Sequence, residues 1–216
     1  MDKDLVIENT INFIKSEFCD EGSGHDWLHI DRVYKNTCYI LEREEGADEF
    51  IVKITALLHD VDDWKFSSEN KTDTSRIEKF LVAQEVSDDD IFKITDIIKT
   101  LSFKGGVVDS TQTSLEGMIV QDADRLDSIG AIGIARAFTY GGYKNNLIYD
   151  PEVKAMDFKS LDDVKKKNTT VNHFYEKLLK LKDLMNTDTA KILANERHNF
   201  MVSFLEMFYS EWNLGE

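Results

Sequence analysis

The sequence has one proline in 216 residues, Pro151, so almost nothing in it forbids continuous helix. It has two cysteines, Cys19 and Cys38, and no CxxC pair, which excludes a disulfide framework as the source of its stability. No apolar run approaches the roughly 20 residues of a membrane-spanning helix. The opening stretch, MDKDLVIENTINFIKSEF, lacks the apolar segment of a signal peptide. Positive charge is scarce as well. Lys and Arg number 26 against 41 Asp and Glu, for a formal net charge of -15. Such a surface repels a phosphate backbone and argues against DNA or RNA polymers as partners. A small anion is still allowed, because local cations or a metal can reverse the field inside a cleft. These absences predict a soluble, cytoplasmic chain with neither membrane nor nucleic acid polymer among its partners.

What is present is helix-forming. Hydrophobic residues make up 42% of the chain, enough for a sizeable core. Leu5, Ile7, Ile11, Ile14 and Phe18 recur at helical spacing, and a glycine loop at Gly22 and Gly24 follows. A second helix is expected from about Asp26 to Glu44, with Trp27, Ile30, Val33, Tyr34, Thr37 and Leu41 inward. ADEFIVKITALLHD reads as a third helix, almost wholly apolar near its end. Helices around Asp73–Gln84 and Asp88–Leu101 come next. SLEGMIVQDADRLDSIGAIGIARAF reads as helical, and TYGGYKNNLIYDPEVK as the longest irregular segment. Two long helices, roughly 160–185 and 187–212, close the chain. With no repeat or linker, the pattern is an all-α, single-domain bundle over residues 1–216. Phe200, Phe204, Phe208 and Trp212, four apart, form a stripe suited to core or to a subunit interface, hence a possible homodimer.

The five histidines are His25, His29, His59, His173 and His198. Each alone suits a core or surface position. Together with the acids they form a pattern: His29 on an early helix, His59 and Asp60 adjacent at the end of a buried one, and Asp124 in an otherwise apolar stretch. A buried carboxylate is costly unless a cation compensates it. Two imidazoles and two carboxylates suit a divalent ion such as Mn²⁺, Fe²⁺, Ni²⁺ or Zn²⁺.

The blocks GHDWLHIDRV, LLHDVDDWKF, SFKGG, QDADRLDSIGAIGIARAF, HFYEKLLKLKDLMNT and RHNFMVSFLEMFYSEW resemble the HD-domain metal-dependent phosphohydrolases. Within that superfamily they look like a bacterial branch of small stand-alone hydrolases, some of them nucleotide pyrophosphatases. The resemblance implies metal ligands His29, His59, Asp60 and Asp124, within a metal-site core of about residues 20–140. The C-terminal helices, about 160–212, would close the pocket. Asp124 is chosen over its neighbours because it occupies the Asp of the ADRL pattern. Asp122, two residues earlier, points away on a helix, whereas Asp127, three later, shares the face and suits support of a ligand. Mn²⁺ is the first choice of metal, with Mg²⁺, Fe²⁺, Ni²⁺ and Zn²⁺ as alternatives.

The same resemblance gives His25 a contact to substrate phosphate or to the metal's water, provided the helix starts early enough to stack it on His29. It gives Asp63, in preference to Asp62, a part in activating water. Lys65 is then a phosphate contact. Lys104, beside Gly105 and Gly106, and Arg125 are further candidate phosphate contacts. His173, Lys177, Arg197 and His198 either form the far wall of the substrate pocket or join the last helices to each other. The activity implied is hydrolysis of a small phosphorylated substrate, a nucleotide, with loss of pyrophosphate from a triphosphate through metal-activated water. The alternatives are a nucleotide phosphomonoesterase and a non-catalytic nucleotide- or metal-binding sensor. A zinc-protease reading of HDWLH puts Asp26 where HExxH has its glutamate and leaves His59, Asp60 and Asp124 without a purpose. An alarmone hydrolase would want a second acid where Trp64 stands.

Overall fold

A helix made almost entirely of apolar residues must be surrounded, and the third helix, α3 (Glu49–Leu58), sits at the centre. Phe50, Ile51, Val52, Ile54, Thr55, Ala56, Leu57 and Leu58 are all buried. The Asp48 side chain caps its start by accepting from the Phe50 and Ile51 amides. Around α3 pack α1 (Lys3–Glu17), α2 (Trp27–Leu41), α5 (Asp88–Leu101) and α6 (Leu115–Asp127), and α4 (Ser75–Ala83) packs on α5. The computed structural model describes residues 1–17, 26–61 and 73–214, with Lys104 described by its backbone alone. Among the described residues there are ten α-helices and no strand, the all-helical architecture expected.

Several expected elements break where the sequence shows no proline. On α1 the buried positions are Val6, Thr10 and Ile14, while Leu5 is exposed, so the inward stripe is rotated from the one expected. The run 115–138 is two helices: α6 stops at Asp127, and α7 (Gly130–Tyr143) restarts after Ser128 and Ile129. Gly130 adopts φ +77°, and a Cβ there would meet the Arg197 stem at 3.0 Å, so turn and close approach both need glycine.

The long helix expected over 160–185 is three pieces: α8 (Leu161–Val164), α9 (Thr170–Glu176) and a 3₁₀ segment, Leu178–Leu184. Local hydrogen bonds compete with continuous helix here. Thr169 caps α9, the amides of Thr170 and Val171 donate to the carbonyls of Leu147 and Ile148, and Glu176 accepts from the Met156 amide and Asn168 Nδ2. The last helix, α10 (Asp188–Trp212), runs close to its expected bounds. Of its aromatic stripe, Phe204 packs on Phe138 and Phe174, and Phe208 on Tyr149, whereas Phe200 and Trp212 remain half exposed.

Leu57→Ala leaves a cavity in the centre of this bundle. It should cost about 2–5 kcal/mol in urea unfolding with little change in m-value. A loss under about 1 kcal/mol would contradict the central placement of α3.

Candidate metal centre

α2 begins when Asp26, in extended conformation, accepts a hydrogen bond from the His29 amide. The helix therefore starts at Trp27. His25, with Asp62, Asp63 and Lys65, lies outside the described residues. The cap also places His29 at the third helical position, facing α6 and α3, where it is 1% exposed. His59 is the C-cap of α3 and Asp60 follows it, both buried. The C-terminal end of a helix carries partial negative charge, which favours a cation beside these two residues. Asp124 comes from the penultimate turn of α6.

These groups converge. His29 Nε2 is 3.3 Å from Asp60 Oδ2 and 3.6 Å from Asp124 Oδ1. His59 Nε2 is 3.7 Å from Asp60 Oδ1 and 3.9 Å from Asp124 Oδ1. Ligand atoms of His29, His59 and Asp124 all lie within 4.8 Å of one another, and Asp60 turns a different oxygen to each imidazole. His59 Nδ1 donates to the Ala56 carbonyl at 2.8 Å, which leaves Nε2 with a bare lone pair in the neutral ring. That Nε2 is buried with no hydrogen-bond partner among the described residues. A buried acceptor aimed at two acids, with no described residue donating to it, fits a divalent cation, as does the whole N₂O₂ donor set.

The other ring nitrogen of His29 is held from behind. Nδ1 is 2.7 Å from Asp127 Oδ2, and the 2%-exposed Asp127 carboxylate also receives Arg32 Nε at 2.7 Å and Arg136 Nη1 at 2.5 Å. Burial works against ionising Asp127, but His29 and Arg32 outweigh it and hold the carboxyl far below the usual range. Burial likewise pushes the His29 pKa down, and the hydrogen bonds to Asp127 and Asp60 raise it to about 9. The cluster therefore attracts positive charge, and a divalent ion held there would replace a proton on Nε2 of His29.

The neighbouring acid Asp122 has a separate task. It accepts from the amides of Asn186 and Thr187, from Asn186 Nδ2 and from Thr187 Oγ1, tying α6 to the start of α10. Helical spacing turns Asp122 away from Asp124, but no local pattern records Asp122's partners some 64 residues away.

The candidate phosphate contacts fare unevenly. Arg125 is 6% exposed; its guanidinium donates to the Leu184 carbonyl and to Ser110 Oγ at 3.3 Å, so its described bonds join segments of the framework. Lys104 opens a short 3₁₀ turn, Lys104–Gly106, in which Gly105 (φ +70°) packs against Phe158 and Val164. His173 lies on α9, where burial and then Lys177 lower its pKa to about 4, and Lys177 caps that helix. His198, on α10, keeps Nδ1 buried without a hydrogen-bond partner among the described residues. Arg197 bonds to the Leu126 carbonyl and to Asn36. Two residues of the centre were not singled out from sequence: Arg32, in the quoted IDRV block, and Arg136, nine residues beyond Asp127.

Residues 27–129 match the HD domain family. YpgQ of Bacillus subtilis is 42% identical over 199 residues, covering 92% of this chain and 89% of the relative. The chain belongs to the HD-domain family. Among solved structures, a Lactobacillus plantarum protein superposes with a TM-score of 0.87 at 38% identity, covering 98% of this chain and 99% of that one. An HD-superfamily hydrolase from Bacillus thuringiensis gives 0.76 at 43% identity, covering 98% and 99%. B. subtilis YpgQ in complex with ADP gives 0.75 at 37%, covering 97% and 98%. The His29, His59 and Asp124 cluster of this HD-domain chain is consistent with a divalent metal site.

Asp127→Asn keeps the shape of the side chain that orients His29 but removes its charge. Metal affinity should fall about 10–100-fold, as for other partners of metal-binding histidines. Asp122→Asn, in contrast, should lower the melting temperature and leave metal affinity within about twofold. Equal metal affinity in Asp127→Asn and the unaltered chain would remove Asp127 from this role.

Proposed function

We propose that this protein is a divalent-metal-dependent phosphohydrolase that splits nucleoside triphosphates into monophosphate and pyrophosphate. The observation that carries the reading is the buried Nε2 of His59, without a hydrogen-bond partner among the described residues, facing two carboxylates and the Nε2 of a second imidazole. His29, His59, Asp60 and Asp124 would hold the metal, with Mn²⁺ the first choice. Bound there, a divalent cation supplies Lewis acidity, lowering the pKa of water and polarising a phosphoryl oxygen. The chain's own residues do the rest. The Ala56 carbonyl and Asp127 fix the two imidazoles with their Nε2 lone pairs inward. The carboxylate of Asp60 or Asp124 orients the attacking water.

His25 and Asp63 are assigned to handling the substrate and water protons, and Lys65, Lys104 and Arg125 to charge on the transferred phosphoryl group. His173, Lys177 and His198 are assigned to the pocket wall. The nucleotide assignment is supported by the complex of B. subtilis YpgQ with ADP.

Purified protein, stripped of metal and resupplied with Mn²⁺, should release pyrophosphate from a nucleoside triphosphate, and Asp124→Ala should lower that rate at least about 10³-fold. Release of phosphate alone would make the protein a phosphatase. Tight nucleotide binding with no product would make it a sensor.

A further inference from the structure

Behind Asp127, on the side away from the metal-facing nitrogen of His29, the surface folds into a groove of about 440 Å³. That volume is in the range of small-molecule sites. None of His29, His59, Asp60 and Asp124 is among the described residues lining it. Arg32, Lys35 and Asn36 of α2 form one wall, and Arg197 of α10 another. Asp127 also lines it, its carboxylate taken up by Arg32, and the rest is apolar, from Ile129 and from Ala131 and Ile132 at the start of α7.

Three cations around one groove are unexpected in a chain of net charge -15. Local acids offset part of them: Lys35 pairs with Asp31 at 2.6 Å, and Asp127 takes Arg32 Nε and Nη2. Asp127 is itself shared with His29 and Arg136. Arg197 differs. It donates to neutral oxygens, those of Leu126 at 2.6 Å and Asn36 at 3.2 Å, and among the described residues no carboxylate is bonded to this partly buried guanidinium; Asp127 and Glu196 act on it only at longer range. The 14-residue helix α7 also opens onto the groove with no described side chain capping its N-terminus, and its dipole adds positive potential there.

We infer that this groove is a second ligand site, for a small phosphate ester or phosphonate. Its anionic group would sit among Arg32, Lys35, Arg197 and the α7 amides, and its apolar body on Ile129 and Ile132. The inference stands apart from the proposed hydrolysis. It needs no metal and uses none of the assigned catalytic residues. An occupant would touch Arg32, which shares Asp127 with His29.

The test is an NMR titration of the full Mg²⁺-loaded chain with phenylphosphonate, which joins anion and ring and resists hydrolysis. Saturable shifts are expected at the Ala131 and Ile132 amides, with inorganic phosphate binding at least threefold more weakly. Lys35→Glu, at a largely exposed position, and Ile132→Asp, at a half-exposed one, should each weaken phenylphosphonate at least tenfold without changing the melting temperature. Shifts confined to residues around His29, His59 and Asp124 would overturn the inference. So would affinity unchanged in both variants. Equal binding of the two probes would overturn the assignment of an apolar-bodied ligand.

Discussion

A single buried hydrogen bond, from His29 Nδ1 to Asp127, sets the geometry on which the centre depends. It joins α2 to α6, and it leaves His29 with only Nε2 to turn toward Asp60 and Asp124. Two arginines hold the same carboxylate, so the acid that aims the imidazole cannot easily relax toward solvent or protonate. The second imidazole is fixed more simply, by the carbonyl of Ala56 three residues earlier in its own helix. One histidine is oriented by tertiary structure and the other by local structure. The centre exists only once α2 and α6 are packed together.

That dependence explains the burial of the third helix. An apolar α3 has one stable place, inside the bundle, and its C-terminal end delivers His59 and Asp60 to the cleft between α2 and α6. The acids brought there repel each other unless something positive stands among them. The rise of the His29 pKa against the effect of burial expresses the same requirement that a divalent ion would satisfy. The chain's overall acidity thus coexists with sites shaped by local compensation, at the centre and again in the groove beside Arg197.

Much of this was legible in the sequence. Asp88–Leu101 was bounded correctly because acids open it and Lys99 closes it. Helical spacing turns Asp122 away from Asp124 and keeps Asp127 on the same face, and the three carboxylates have different surroundings. Other features depend on contacts that no local pattern records. The break at Ser128–Gly130 lies in a run with helical periodicity, and the close approach of the Arg197 stem, which leaves room only for glycine at position 130, comes from a distant helix. The division of residues 160–185 follows from hydrogen bonds to the segment 147–156, so charged residues with good helix propensity still form short pieces. Arg32 and Arg136 gave no signal because their shared partner is fixed only in three dimensions. Arg125 stood out for following Asp124, yet its described hydrogen bonds serve the framework.

The central claim is that His29 and His59 bind one cation together with Asp60 and Asp124. Pulsed electron paramagnetic resonance on protein loaded with one equivalent of Mn²⁺ tests it most directly. The account predicts hyperfine coupling to two imidazole nitrogens on a single bound ion. A spectrum with no nitrogen coupling, from an ion held by oxygen alone, would contradict it.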